Sequence, residues 1–304
     1  MSVPIFFVNQ GNSFYLKYTL KQAKYFNNES KIYLLGDATN NVYPFIKHIN
    51  LNKYQSSAQL FAGIYKHRST NPHEYELFCF QRWFYIRDFL RENNIGEFIY
   101  LDSDVLAFYD FSKVTPKFNQ FSVANTSKDN GMPAFSYFNS LRAIEEFCDY
   151  LMNYYSDDNL VKELDNWYSF YLLNSKTVTG GVCDMTLFDM YFKNNEKKTT
   201  KVDLVDDLGF DTNLRDINDY ESDKGIKKLY WKSNLPFCRD IKTNKLVQFA
   251  TLHYQGNLKE LIITHYKGNG YVFSRLSDYL SMFFDDAKAQ LKGKVKRLIN
   301  YNPN

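Results

Sequence analysis

The stretch Glu97–Phe108, EFIYLDSDVLAF, decides how the chain is read. Phe98 to Leu101 and Val105 to Phe108 are apolar, β-prone runs, and between them stand Asp102 and Asp104, separated only by Ser103. A strand buried in a sheet tolerates carboxylates poorly, because a charge taken out of water needs a partner or a proton. The acids therefore belong at the rim, where the strand leaves the core. Held there, they are placed to share a divalent cation. Mg²⁺ or Mn²⁺ takes oxygen ligands at roughly 2.1 Å and prefers one or two carboxylates plus substrate phosphates to an all-protein cage. The bland alternative is a turn with two solvated aspartates, since short Asp-x-Asp matches are common.

Outward from this strand the chain alternates. Val3–Val8 (VPIFFV) reads as a first buried strand, NQGN as a turn, and about Ser13 to Tyr25 as a helix. Lys31–Asp37 (KIYLLGD) reads as a second strand, Tyr75–Asn94 as a long helix leading into the Asp-x-Asp strand, and Phe121–Asn125 as a further strand. Strand, helix, strand is the order of parallel strands with crossover helices, and such α/β open sheets bind nucleotides at the carboxyl ends of their strands. Leu141 to Asn174 reads as mainly helical, and Gly180-Gly181 precede another helix, opened by Asp184. Thr199 to Ala250 is polar with short β-like pieces such as KVDLV and KLVQFA. Ser274 to Ile299 repeats apolar residues at helical spacing and carries Lys288, Lys292, Lys294, Lys296 and Arg297 near its end. The organisation expected is one domain over residues 1–270, with a nucleotide-binding half (1–125) and a second half (126–270), followed by a basic amphipathic helix over 271–304.

Composition bounds the rest. The chain has 304 residues, 44% apolar, with a net charge of +3, enough for a large core and with no Lys/Arg stripe to suggest a nucleic-acid partner. Its 25 Tyr and 27 Phe serve a core or sugar-stacking surfaces. Cys79, Cys148, Cys183 and Cys238 are far apart without a C-x-x-C, which predicts reduced, largely buried thiols. The N-terminal MSVPIFFVNQ lacks a basic n-region, and no run of roughly eighteen apolar residues occurs, so a soluble, cytoplasmic protein is expected.

A second constellation lies in TLHYQGNLKEL, Thr251–Leu261, where His253, Gly256 and Lys259 are spaced H-x-x-G-x-x-K. Neutral imidazole suits Mn²⁺-type ions and would complete a site otherwise made of carboxylates. Gly256 lets backbone approach a ligand closely, and Lys259 can reach a diphosphate as a point charge.

YLDSDVL with a downstream HYQGNLK resembles the GT-A-fold glycosyltransferases of the glycogenin and lipopolysaccharide glucosyl/galactosyltransferase kind. The resemblance implies an α/β GT-A fold, an open mixed sheet flanked by helices, and transfer of a hexose from a UDP-sugar to a glycan or lipid-linked saccharide, with retention. It implies Asp102, Asp104 and His253 as ligands of Mn²⁺ (or Mg²⁺), and Ser103, Gly256 and Lys259 as donor contacts. Val8 and Asn9, in the turn after the first strand, would meet uracil and ribose; a polar surface turn is the alternative.

Two further residues carry chemistry. On a helical wheel Arg82 falls with Phe78, Ile86 and Phe89, and an Arg on an apolar face needs an anionic partner. It is read as a donor contact or as an ion-pair brace for the metal aspartates. Asp184 is read as a helix cap or as an acid that binds the transferred sugar; Asp211 and Asn213 are weaker candidates for acceptor hydroxyls. The basic C-terminal helix fits peripheral contact with an anionic membrane surface. One rival is a Mg²⁺-dependent phosphatase of the haloacid dehalogenase kind, with VDLVDDLGFD supplying its later acids. The other is a non-catalytic glycan-binding protein.

Overall fold

The computed structural model describes residues 2–126, 132–175 and 180–268. The basic helix expected over 271–304 lies outside the described residues.

Two sheets organise the chain. The first has the order β3-β2-β1-β4-β7-β6-β8. Its strands are β1 (Ile5–Val8), β2 (Ile32–Gly36), β3 (Lys47–Asn50), β4 (Phe98–Leu101), β6 (Val123–Asn125), β7 (Phe135–Phe138) and β8 (Thr199–Lys201). β3, β2, β1 and β4 run parallel, and β7 is antiparallel to both β4 and β6. This is the open, mixed, parallel-rich sheet that the sequence implies. Alternate residues of β1 enter opposite cores. Phe6 and Val8 face the core beneath α3 (His73–Asn93), and Ile5 and Phe7 face the one beneath α1 (Leu16–Phe26).

Between β4 and β6 the chain changes sheets. β5 (Val105–Ala107) pairs antiparallel with β15 (Leu246–His253) in the second sheet, whose path is β13-β14-β15-β10-β9. The other members are β9 (Leu204–Val205), β10 (Leu208–Phe210), β13 (Tyr230–Lys232) and β14 (Leu235–Arg239), and β11 (Ser222–Asp223) pairs separately with β12 (Ile226–Lys227). Asp102 and Asp104 thus occupy the tight turn by which one strand leaves the first sheet and the next enters the second. Val105 N–H donates to the Asp102 carbonyl at 3.0 Å.

Several elements differ from the sequence reading. The region after β2, unassigned in the sequence reading, holds a further parallel strand, β3, and a helix, α2 (Gln55–Ile64). The helical stretch from Leu141 is two helices, α4 (Leu141–Ser156) and α5 (Asp158–Asn174), split where Asp157 caps the second one. β7 and the β13–β14 hairpin were not anticipated; Ser233 and Asn234 both take positive φ (48° and 65°), as a two-residue hairpin turn requires. α6 (Asp184–Asn194) begins at Asp184, but its cap is Cys183, so the Asp184 carboxylate is free for another task. α7 (Leu261–His265) closes the described chain.

The four thiols are free; Cys148 and Cys238 are buried, and Cys79 and Cys183 half-buried. Among the described residues no helix is long and apolar enough to cross a membrane.

Candidate metal and donor site

β15 ends at His253, which sits in register opposite Val105, so the imidazole arrives beside Asp104 although 149 positions separate the two in sequence. His253 Nε2 lies 3.3 Å from Asp104 Oδ1 and 4.0 Å from Asp102 Oδ2. One donor atom from each of the three lies within 4.8 Å of the others, and among the described residues this is the one such group. Octahedral donors at about 2.1 Å from an ion stand about 3.0 Å apart when adjacent and about 4.2 Å when opposed. The two spacings from His253 Nε2, 3.3 and 4.0 Å, fall in that range, and two carboxylates with one imidazole suit a Mn²⁺-type ion.

The ring orientation is fixed from behind. His253 Nδ1 meets the Thr212 carbonyl at 2.6 Å, which makes Nδ1 the donor and leaves Nε2 facing the acids. Thr212 is held in turn by Asp211, whose buried carboxylate accepts from His253 N–H at 2.9 Å and pairs with buried Lys227 at 2.7 Å. Asp211 is therefore not offered to an acceptor hydroxyl. Asn213 is likewise engaged, donating to Gln255 at 2.5 Å and accepting from Arg215 N–H at 2.9 Å.

Lys259 stands on the other side of Asp104, its Nζ 3.2 Å from Oδ2 and 5.2 Å from the centre of the Tyr15 ring. Tyr15 also reaches Ser103, hydroxyl to hydroxyl, at 3.5 Å. Gly256 opens the 3₁₀ turn Gly256–Glu260 at φ +65°, a backbone region that favours glycine, and this turn aims Lys259 back at Asp104. Burial alone would raise the Asp104 carboxyl, but His253 and Lys259 outweigh it and hold the group below its ordinary value. Burial pulls His253 down, while Asp104 and Asp102 push it up further, to about 9.

Arg82 is a bridge. Its guanidinium donates to Asp102 Oδ1 at 2.7 Å and to Asp184 Oδ2 at 2.5 Å, and its Nη1 to the Tyr100 hydroxyl at 2.8 Å. Trp83 Nε1 adds a bond to Asp184 at 3.0 Å. Burial raises the Asp184 carboxyl, and Arg82 only partly offsets that. Tyr100 and Trp83 were missed in the sequence. Tyr100 lies two residues before Asp102, and its hydroxyl reaches over one strand step to donate to that carboxylate at 2.6 Å.

Val8 and Asn9 stand at the carboxyl end of β1, next to β4, so the expected nucleotide-contacting turn opens on the same edge as the cluster. Asn9 donates to the Gly11 carbonyl at 2.7 Å, and buried Asn40 donates to the carbonyls of Asn9 (2.8 Å) and Gly11 (2.9 Å). Asp37 accepts from Gly11 N–H at 2.6 Å. Of the acids in the rival phosphatase segment, Asp211 is taken up by Lys227 and none joins the Asp102–Asp104–His253 group. Asp206 and Asp207 form the β9–β10 turn at positive φ, and Asp206 pairs with Lys117.

Fold and site together define a class: an α/β protein with an open mixed sheet and an acid–imidazole cluster at its strand ends. No protein-family model matches the chain, and no curated protein matches it by sequence. Similar solved structures are glycosyltransferases. Mouse xyloside xylosyltransferase 1 shares 10% identity over 67% of this chain and 85% of its own, with a TM-score of 0.48. The bifunctional glycosyltransferase WbbM shares 11% over 91% of this chain, which spans about half of it (51%), with a TM-score of 0.48. The galactosyltransferase LgtC, solved with donor and acceptor sugar analogues, shares 13% over 90% of this chain and all of its own, with a TM-score of 0.44. At such identities and scores, activity has to be argued from the site.

Proposed function

We propose that the chain is a metal-dependent glycosyltransferase that moves a hexose from a UDP-sugar to a glycan or lipid-linked saccharide, with retention at the anomeric carbon. The observation that carries this reading is the convergence of Asp102, Asp104 and His253 within 4.8 Å, with Lys259 at 3.2 Å, on the strand-end edge of an α/β sheet. Asp102 Oδ2, Asp104 Oδ1 and His253 Nε2 would hold Mn²⁺ or Mg²⁺. When bound, such an ion supplies neutralisation of a diphosphate, which makes a nucleoside diphosphate a better leaving group.

The residues of the chain do the rest. Lys259 places a positive charge where the departing diphosphate gathers negative charge. The turn Asn9–Gly11, braced by Asn40 and Asp37, and the end of β1 at Val8 receive the nucleoside. Ser103, in the tight turn between the two acids, would contact the diphosphate. Arg82, fixed between Asp102 and Asp184, keeps the Asp102 carboxylate aimed, and with Nε, both Nη1 protons and one Nη2 proton engaged it has a single N–H left for the transferred sugar. The new bond joins an acceptor oxygen to the anomeric carbon as the bond from that carbon to the diphosphate oxygen breaks; the acceptor proton leaves with the phosphate. A haloacid-dehalogenase reading is disfavoured because Asp206 and Asp207 lie in a hairpin turn outside the cluster.

The test is calorimetric titration of UDP into the protein with Mn²⁺ and then with EDTA, for wild type and Asp102→Ala. Binding that needs both metal and Asp102 is expected. UDP binding that ignores EDTA and the substitution would overturn the metal assignment.

A further inference from the structure

Each acid of the cluster turns one oxygen inward and gives the other to a resident cation. Asp102 Oδ2 faces His253 Nε2 at 4.0 Å, while its Oδ1 accepts from Arg82 and Tyr100. Asp104 mirrors this: Oδ1 faces His253 Nε2 at 3.3 Å, and Oδ2 pairs with Lys259 at 3.2 Å. The two cations are anchored very differently. Arg82 is held from its far side by Asp184 at 2.5 Å, and its side chain is 11% exposed. Lys259 has Asp104 as its one ion-pair partner among the described residues; its side chain is 33% exposed and also meets Tyr15, 5.2 Å from the ring centre.

We propose that Lys259 couples the binding of metal and diphosphate, keeping the cluster weak for a divalent cation alone and strong for the cation together with a nucleoside diphosphate. In the free protein the ammonium neutralises Asp104, so an arriving dication meets a carboxylate already shared with a positive charge only a few ångströms away. Two like charges at such range repel strongly at a partly buried site. A diphosphate reverses the balance. Its oxygens give Lys259 a new anionic partner, and the ammonium that opposed the dication now binds the ligand that accompanies it. Coupling of this kind is reciprocal, so metal must tighten the diphosphate by the same factor. Arg82 cannot play this part, because Asp184 compensates its charge whatever occupies the cluster.

The proposal rests on the nucleotide-sugar reading for its second ligand, but not for its first. The experiment is a Mn²⁺ titration of the full chain, free Mn²⁺ being read by electron paramagnetic resonance, with and without UDP, for wild type, Lys259→Met and Lys259→Arg. Lys259→Met should bind Mn²⁺ alone at least about tenfold more tightly than wild type, from loss of the like charge. UDP should then enhance that binding at least about tenfold less than it does in wild type, while Lys259→Arg should keep the weak metal-alone affinity. A Lys259→Met protein that binds Mn²⁺ no more tightly than wild type, or keeps the full enhancement by UDP, overturns the proposal. If UDP does not bind wild type with Mn²⁺, the nucleotide reading fails by itself, and the metal-alone comparison still decides the role of Lys259. Absence of Mn²⁺ binding in every variant would overturn both.

Discussion

Asp184, Arg82 and Asp102 form a chain of charges in which only the last member is near solvent; their side chains are 3%, 11% and 19% exposed. A buried pair of this kind is costly to break, because the partner left behind stays charged and dry. Arg82→Met should therefore lower stability by about 3 kcal/mol or more in chemical denaturation, and Arg82→Met with Asp184→Leu should recover part of the loss. No recovery in the double variant would mean that Arg82 acts through packing. A second residue-scale prediction concerns Asp37. Burial raises its carboxyl, but bonds from Thr39, Gly11 and Asn40 bring the net value below 3.8. A depressed folded-state value contributes stability that is present above 3.8 and lost as the pH falls through the lower folded value. Asp37→Asn should thus lower the melting temperature at pH 7, and the gap to wild type should close as the pH falls below 3.8 and through the depressed folded value. A gap that persisted in acid would assign the effect to lost shape instead of charge.

At the scale of elements, the segment before α6 sets where Asp184 points. Gly181 bridges to Ser69, and Val182 N–H donates to the Arg68 carbonyl at 2.7 Å. A Cβ on Gly181 would stand 2.3 Å from the Arg68 carbonyl oxygen and 2.5 Å from Ser69 Cα, both of them backbone that cannot swing aside. Gly181→Ala should cost about 2 kcal/mol or more. It should also weaken donor binding, because the start of α6 must shift. Unchanged UDP affinity in a destabilised variant would show that Arg82 holds its place without that helix. Sequence periodicity found α3 and the strand after it well, yet it missed α2 and β3, whose half-exposed residues show no sustained pattern. Nor does periodicity show that Arg87 is buried, against Phe84 and paired with Asp88.

On the scale of the whole molecule, the cluster exists only because two sheets meet. β4 belongs to the first sheet, β5 and β15 to the second, and the Asp-x-Asp turn is their seam. A ligand that ties the two edges should stabilise the native state by mass action. UDP with Mn²⁺, each at about a hundred times its dissociation constant, should add about 2.7 kcal/mol or more to unfolding. Thermal melts should then rise with the pair beyond the sum of the separate shifts, and additive shifts would argue against a shared site.

What the sequence by itself determined is the chemistry and its local setting: two carboxylates at a strand end, an imidazole and a lysine at fixed spacing, and the alternation that makes an α/β sheet. These rest on short-range rules, namely side-chain periodicity, strand termination and ligand preference. What only the tertiary structure decided is which groups meet. The register of β15 on β5 brings His253 to Asp104, and the packing of α6 on α3 gives Arg82 its second acid. The support of His253 by Thr212, Asp211 and Lys227 was likewise hidden in a polar stretch with only short β-like pieces. Long-range pairing depends on how layers close over a shared core, and no local pattern in the chain encodes it.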